Sequence, residues 1–289
     1  MLYFMKSHRL LKYFGFLFCL LFYNITICSC SIKEDRIDCP CYLSLDFSNI
    51  DSSYIKDVLI WVTDYDDNII LTDSINKSSF KKPYKTTIKR DIINLYCWSN
   101  YKKMISFKNT ESENYVTPNF VINSNEAMDN IYSCIKQINT NQENTSVSIN
   151  MKRTFLSFRV RIIGLKNNQP KYRLMVESGA SGYYINGEIL ESMYKYFPEN
   201  VRINSLYDIW DTYHFLVPLQ EDPDKLNLVM IDNNKTKVFP LGKKLESCGI
   251  DLKTSHRDDI IITIDFSSLN VDVNIDNWCY ISYKTSIFI

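Results

Sequence analysis

The sequence predicts a mainly all-β protein built from two tandem β-sandwiches, with one short helix in the first. Three observations carry that expectation. Apolar and polar residues alternate through most of the chain, which is the period of a half-buried strand. Clusters of Asn, Asp, Ser and Gly separate the alternating stretches and mark turns. One stretch alone places its apolar residues at helical spacing. Many short strands with turn signals and almost no helix argue for sandwiches.

The N-terminus is a targeting device. Lys6, His8, Arg9 and Lys12 precede an apolar run from Tyr13 to Ile27. The run falls short of the about 20 apolar residues that span a membrane, and has the proportions of a signal-peptide core. Ile27-Cys28-Ser29-Cys30 follows: an aliphatic residue, a free position, a small residue and a cysteine. That order marks Cys30 as the lipidation site, with residues 1–29 as the signal peptide and 30–41 as a lipidated tether. Ser31-Ile32-Lys33-Glu34-Asp35 gives the tether the charged start of a surface-exported lipoprotein.

With 45% hydrophobic and 14% aromatic residues, the chain after Cys30 can bury real cores, and its length suits two domains. Lys and Arg total 33 against 33 Asp and Glu, a formal charge of zero, without the clustered basic surface that nucleic acid requires. Of the nine cysteines, Cys19 and Cys28 leave with the signal and Cys30 takes the lipid. Cys39, Cys41, Cys97, Cys134, Cys248 and Cys279 remain, in an exported context that permits disulfides. A bond from Cys39 or Cys41 to Cys97 is expected, against the alternative of small buried thiols.

In the first half, residues 42–152, Leu43, Leu45 and Phe47 alternate with polar neighbours, as do Val58, Ile60 and Val62. Asp64-Tyr65-Asp66-Asp67-Asn68 makes a turn into Ile69 and Leu71. Thr86 to Arg90, Ile92 to Trp98 and Ser146 to Met151 read as further strands. Ser124, followed by Met128, Ile131, Tyr132 and Ile135, reads as the cap and apolar face of the helix. No glycine occurs between Gly15 and Gly164, so these turns rest on Asn, Asp and Ser.

The second half, residues 153–289, opens with a strand through Phe155, Phe158, Val160 and Ile162. Tyr172 to Glu177 is followed by an expected turn at Ser178-Gly179-Ala180-Ser181-Gly182, then by Tyr183 to Ile185 and the turn pair Asn186-Gly187. His214 to Val217, Leu226 to Ile231 and Ile260 to Phe266 complete the expected strands.

Motifs for chemistry are missing from this reading, which expects neither cofactor nor metal. His214 and His256, the histidines left after the signal, lie far apart and outside any metal-ligand spacing. Gly179 to Gly182 lacks the G-x-S-x-G order of a nucleophile elbow. Asp64 to Asn68 could ligate calcium, yet lacks the glycine and distal glutamate of an EF-hand loop and reads as a solvated turn. Asp258-Asp259 beside Arg257 reads as an exposed strand start.

Several segments together resemble a known family. Arg36-Ile37-Asp38-Cys39-Pro40, leading into Leu43 to Phe47, resembles the opening of the fimbrial anchor lipoproteins of Bacteroidales, the FimB-type relatives of fimbrillin. Asn94-Leu95-Tyr96-Cys97-Trp98-Ser99-Asn100 is similar to that family's strand ending in Tyr and Trp, with Asp91 to Asn94 where a glycine is expected. Met151 to Phe155 with Phe158 to Ile162 resembles the strand opening its second domain. Asp259 to Phe266 with Val273 to Trp278 resembles its close.

The resemblance implies transthyretin-like, Greek-key sandwiches and a role in type V pili, whose subunits join by exchanging terminal strands. It implies fimbrillin-like subunits as partners and lipid attachment through Cys30 at the outer membrane, on the cell surface. The tail Tyr280 to Ile289 suits a donor strand, with Tyr283, Ile287, Phe288 and Ile289 as its large residues. Equally, it could be a last strand pairing within its own domain. The strand Leu43 to Phe47 is expected to stay in its own domain, because removing it would sever the tether. The resulting expectation is a non-enzymatic, lipid-anchored subunit that attaches and terminates a fimbria. The alternative is a surface β-sandwich lipoprotein binding glycan or protein ligands through some of its 20 tyrosines.

Overall fold

The computed structural model describes residues 39–109, 116–163, 173–204, 209–232, 235–254, 259–265, 271–275 and 279–283. Cys30, Ile287, Phe288 and Ile289 lie outside them.

The first half folds into two facing sheets. β1 (Pro40–Asp46) lies between β4 (Tyr84–Lys89), antiparallel, and β9 (Asn144–Ser148), parallel. Opposite stands a five-stranded sheet. Its order is β10 (Lys152–Arg153), β8 (Tyr132–Asn139), β5 (Ile92–Ser99), β2 (Asp57–Thr63) and β3 (Ile69–Asn76). The alternation read from the sequence sets the core: Leu43, Leu45 and Phe47 face Val58, Ile60, Val62, Ile93 and Leu95. Each such side chain contributes about 1.5–3 kcal/mol by leaving water. The Asp64 carboxylate closes the β2–β3 turn by accepting the Asp66 and Asn68 N–H groups, and Asp67 takes a positive φ of 61°.

The second half is a larger sandwich. One sheet runs β14 (Asn200–Asn204), β15 (Ile209–Pro218), β11 (Phe155–Ile163), β18 (Ile260–Asp265), β19 (Val271–Ile275) and β20 (Cys279–Tyr283). Here too the opening strand, β11, has one parallel neighbour, β18. The other sheet is centred on β12 (Arg173–Tyr184), with β13 (Ile189–Tyr196), β16 (Asn227–Asp232) and β17 (Lys235–Phe239). Phe158, Val160, Phe215, Leu228, Ile262 and their neighbours fill the core between them.

A hairpin from the first half joins that second sheet. β6 (Ile105–Asn109) and β7 (Val116–Val121) pair with each other, and β7 pairs with β12 from Val121↔Gly182 to Asn119↔Tyr184. The approach is close enough that a Cβ on Gly182 would lie 1.7 Å from the Phe120 carbonyl oxygen. Only glycine fits there.

Three sequence expectations are corrected. The helix expected over Ser124 to Ile135 does not form. Asn125 has a φ of 72°, which ends any helix that Ser124 could cap, and Tyr132 onward is β8. The one α-helix among the described residues, α1 (Leu241–Ser247), lies in the second half, where it buries Leu241, Gly242 and Leu245. Ser178 to Gly182 is not a turn but the middle of β12, whose register shifts twice there against β13. Finally, Cys39, Cys41 and Cys97 are free thiols, as is Cys134. Cys41 Sγ lies 3.4 Å from Thr145 Oγ1, and Cys97 sits across the strand pair from Cys134, with Cys41, Cys97 and Cys134 all packed in the first core as small buried thiols. Among the described side chains Cys248 alone is in a disulfide.

Candidate functional site

β1 begins ten residues after Cys30 and occupies the middle of its sheet. Cys41, Leu43 and Leu45 are no more than 1% exposed, and Phe47 stacks on Phe80 with ring centroids 6.3 Å apart. Both backbone edges of β1 are used. Its register runs from Pro40↔Lys89 to Leu45↔Tyr84 on one side and from Tyr42↔Asn144 to Asp46↔Ser148 on the other. The opposite face of β1 carries Tyr42 and Ser44, which line a hollow of about 540 Å³ with Lys85, Thr87, Asn144 and Ser146.

The last described strand differs. Among the described residues, β20 pairs through its backbone with β19 alone and forms an edge of its sheet. Tyr283 pairs with Val271 at the end of that ladder, so the start of the expected donor tail is a strand within its own domain. Other edges are β3, β4, β9 and the two-residue β10 in the first sandwich. β3 exposes Ile69 and Ile70, carries Asp73 as its only charge, and lacks the lysines and prolines that usually blunt an edge. Tyr84 of β4 donates to Asp73 at 2.7 Å, tying the two edges together. Burial, that hydrogen bond and the Asp73 charge push the Tyr84 phenol up from its ordinary value.

The two halves meet in an aromatic cluster. Trp98 lies 4.4 Å from the Phe120 ring and 5.6 Å from the Tyr183 ring, and its indole N–H donates to the Ile185 carbonyl at 2.9 Å. Tyr183 donates to the Thr154 carbonyl and accepts from the Leu219 N–H. Ile122 N–H reaches the Ser181 carbonyl at 2.7 Å. Burial pushes the Tyr183 phenol up, which keeps it neutral as a donor. Such satisfied polar groups inside a packed junction fix its geometry.

One polar constellation was not anticipated. Ser157 on β11, His214 on β15 and Asp259 just ahead of β18 meet on the outer face of their sheet. The Ser157 hydroxyl donates to Asp259 Oδ1 at 2.5 Å and lies 3.2 Å from His214 Nε2, while Arg159 holds Asp259 Oδ2 at 2.9 Å. Burial opposes ionisation of Asp259, but the Ser157 hydrogen bond and the charges of His214, Arg159 and Arg153 outweigh it and lower its pKa. Nucleophile activation needs the carboxylate on the far nitrogen of the imidazole; here it holds the serine itself. The arrangement is a polar clip across three strands. Asp259 is therefore paired rather than a bare exposed strand start.

A family model described as fimbrillin-A associated anchor proteins Mfa1 and Mfa2 matches residues 36–284. Among solved structures, the fimbrial anchor protein Mfa2 from Porphyromonas gingivalis aligns with a TM-score of 0.64 at 11% identity, over 85% of this chain and 100% of that one. A candidate adhesin from Bacteroides thetaiotaomicron aligns with a TM-score of 0.64 at 13% identity, over 84% and 97%. A candidate polysaccharide-binding protein from the same species gives 0.64 at 12% identity, over 83% and 98%. At these identities the likeness is one of fold. No curated protein matches.

Proposed function

This chain belongs to the family of fimbrillin-A associated anchor proteins, and from that premise we propose that it is the lipid-anchored base subunit of a fimbria. Membership gives it a structural fimbrial role at the cell envelope, in a family of fimbrial proteins rather than enzymes. The proposal adds three things. Cys30 carries the lipid and holds the outer membrane. Strand exchange joins the chain to fimbrillin-like subunits. The fibre ends at this subunit.

The observation that carries the reading is the place of β1. A strand paired on both edges, with its apolar face in the core, cannot be given up to make room for an incoming strand without opening the sandwich. A subunit that keeps its first strand stops growth at that end, and the same strand ties the fold to the tether. At the other end β20 leaves one backbone edge without a partner strand among the described residues, and residues 284–289, with Ile287, Phe288 and Ile289, extend beyond it as the donor. Unpaired N–H and C=O groups along an edge are what a partner strand needs.

The test is Cys30→Ala in the native organism, with fimbrial subunits assayed in cells and medium. Release of polymer into the medium, or abnormally long fibres, is the expected result. Fimbriae unchanged on the cell, with this protein alone lost from the membrane, would end the anchor reading. The second reading, a glycan-binding lipoprotein, is favoured by Tyr42, 53% exposed beside Ser44, Thr87 and Asn144. Glycan binding that is lost in Tyr42→Ala, with fimbriae intact, would make it the better account.

A further inference from the structure

The first and last strands of the three-stranded sheet, β1 and β9, are neighbours, and they are parallel. Their direction relative to the second half follows from the path of the chain. β8 starts beside the second half, where Tyr132 packs edge-on to Phe155 at 5.8 Å and Thr154 N–H donates to the Ile131 carbonyl. It ends at Asn139 on the far side, where Thr140 bonds the Asp91 carbonyl and Arg90 reaches the Pro40 carbonyl. The chain reverses there, and β9 runs back toward the second half. Being parallel to β9, β1 has Pro40 at the far end and Asp46 at the near end.

We infer that the first sandwich is a mechanical clamp, in which tension between the N-terminal tether and the second half is borne in shear by the ladders on both edges of β1. The source of the tension rests on the anchor reading above; the clamp is a property of the chain alone. A pull on Pro40, directed away from the second half, acts along the strand axis. Every hydrogen bond from Pro40 to Asp46 is then loaded together rather than opened one at a time from an end. The parallel ladder is closed at both ends, by Tyr42 N–H on the Glu143 carbonyl at 2.7 Å and by Ile149 N–H on the Asp46 carbonyl at 2.9 Å. Sliding by one residue is no escape, because it would turn Tyr42 and Ser44 into the core and Leu43 and Leu45 out of it.

The ladder also says where it can be cut. N–H groups two residues apart on a strand face the same neighbour. Ile149 N–H faces β1, so those of Val147 and Thr145 do too, while that of Ser146 faces the open edge of β9. Proline at Thr145 removes a clamp hydrogen bond; proline at Ser146 removes an edge N–H, where it is tolerated.

The experiment is single-molecule unfolding at constant force on the chain from residue 30 to Ile289, with handles at its two ends. The readout is the lifetime of the event that releases the first sandwich. In a second geometry the handles join residue 30 and Gln142, exposed in the far-end turn, so that β1 is peeled from Pro40. The peeled geometry is expected to rupture at least about tenfold faster at equal force, since each ordinary ladder bond broken singly rather than jointly changes the barrier by about that factor. Thr145→Pro is expected to shorten the end-to-end lifetime by about tenfold, and Ser146→Pro to leave it near wild type. Equal lifetimes in the two geometries overturn the clamp, and that comparison stands even if Thr145→Pro does not fold. Equal effects of the two prolines overturn it as well. Either result leaves the Cys30→Ala fractionation free to decide the anchor reading by itself.

Discussion

β1 and β20 are the first and last described strands, and they are built in opposite ways. β1 has a partner on each edge and its apolar side chains in the core. Among the described residues, β20 has one partner and forms an edge. The contrast teaches how a single fold can hold fast at one end and stay open at the other. A strand in mid-sheet uses all its backbone hydrogen bonds internally and resists exchange. An edge strand keeps one row of donors and acceptors that a second chain can use.

The sharpest way to break the contrast is to weaken each end in turn. Leu45 is fully buried, and Leu45→Ala is expected to lower the unfolding free energy by about 3 kcal/mol, the transfer cost plus that of the cavity left behind. Denaturant melts of the chain from residue 30 measure it. Deleting residues 284–289 is expected to shift the same melt by less than about 0.5 kcal/mol, while abolishing recovery of fimbrial subunits with the protein. If the deletion costs as much as Leu45→Ala, the tail belongs to its own fold and the two ends are alike.

The join between the halves comes next in size. Gly182→Val drives two methyl groups toward the Phe120 carbonyl, already 1.7 Å from the place of a Cβ. Backbone must move, and a loss of about 2–3 kcal/mol is expected. Hydrogen exchange locates it: the Ile122 N–H, bonded to the Ser181 carbonyl, should exchange faster, while the Tyr42 N–H on the Glu143 carbonyl should not. Equal acceleration at both would mean that β1 is secured only when the hairpin is docked.

What could be read from the sequence follows from which physics is local. Period-two alternation identified β1, β2, β5 and β11, because a strand with one buried face writes its own pattern. The β6–β7 hairpin could not be assigned to the far sheet, since its destination depends on a gap beside Gly182 that no local pattern records. The glycines of Ser178 to Gly182 suggest a turn, yet here they serve close approach within a strand. Met128, Ile131 and Ile135 imitate helical spacing, but Met128 and Ile131 are buried in the junction while Ile135 is 41% exposed. The segment that is a helix carries fuller signals: Leu241, Leu245 and Cys248 at i, i+4 and i+7, Pro240 ahead, and Gly249 beyond with a φ of 82°. Ser157, His214 and Asp259 were beyond reach of motif reading, because the pairing of β15, β11 and β18 alone brings them together.

That clip supplies the smallest and most local test. Asp259 is held below the ordinary carboxylate value in the folded chain, with Ser157, His214 and the nearby arginines stabilising its charge. The unfolded chain, titrating near 3.9, then binds the proton more readily than the folded one. The stabilisation is fully present above that unfolded value and disappears as pH falls through the lower folded value. Partly screened by solvent, it is worth less than about 1 kcal/mol. Wild type should therefore lose stability between about pH 5 and pH 3 by slightly more than Asp259→Asn, which has no such proton to bind. The loss should also be directional. Amides of β11 and β18 beside Asp259 should exchange faster on acidification in wild type and not in the variant, while the β1 ladder, with Cys41, Leu43 and Leu45 on its core face, responds alike in both. A β1 response that vanishes in Asp259→Asn would mean that the N-terminal strand senses the C-terminal sheet, and the independence of β1 and β20 would have to be given up.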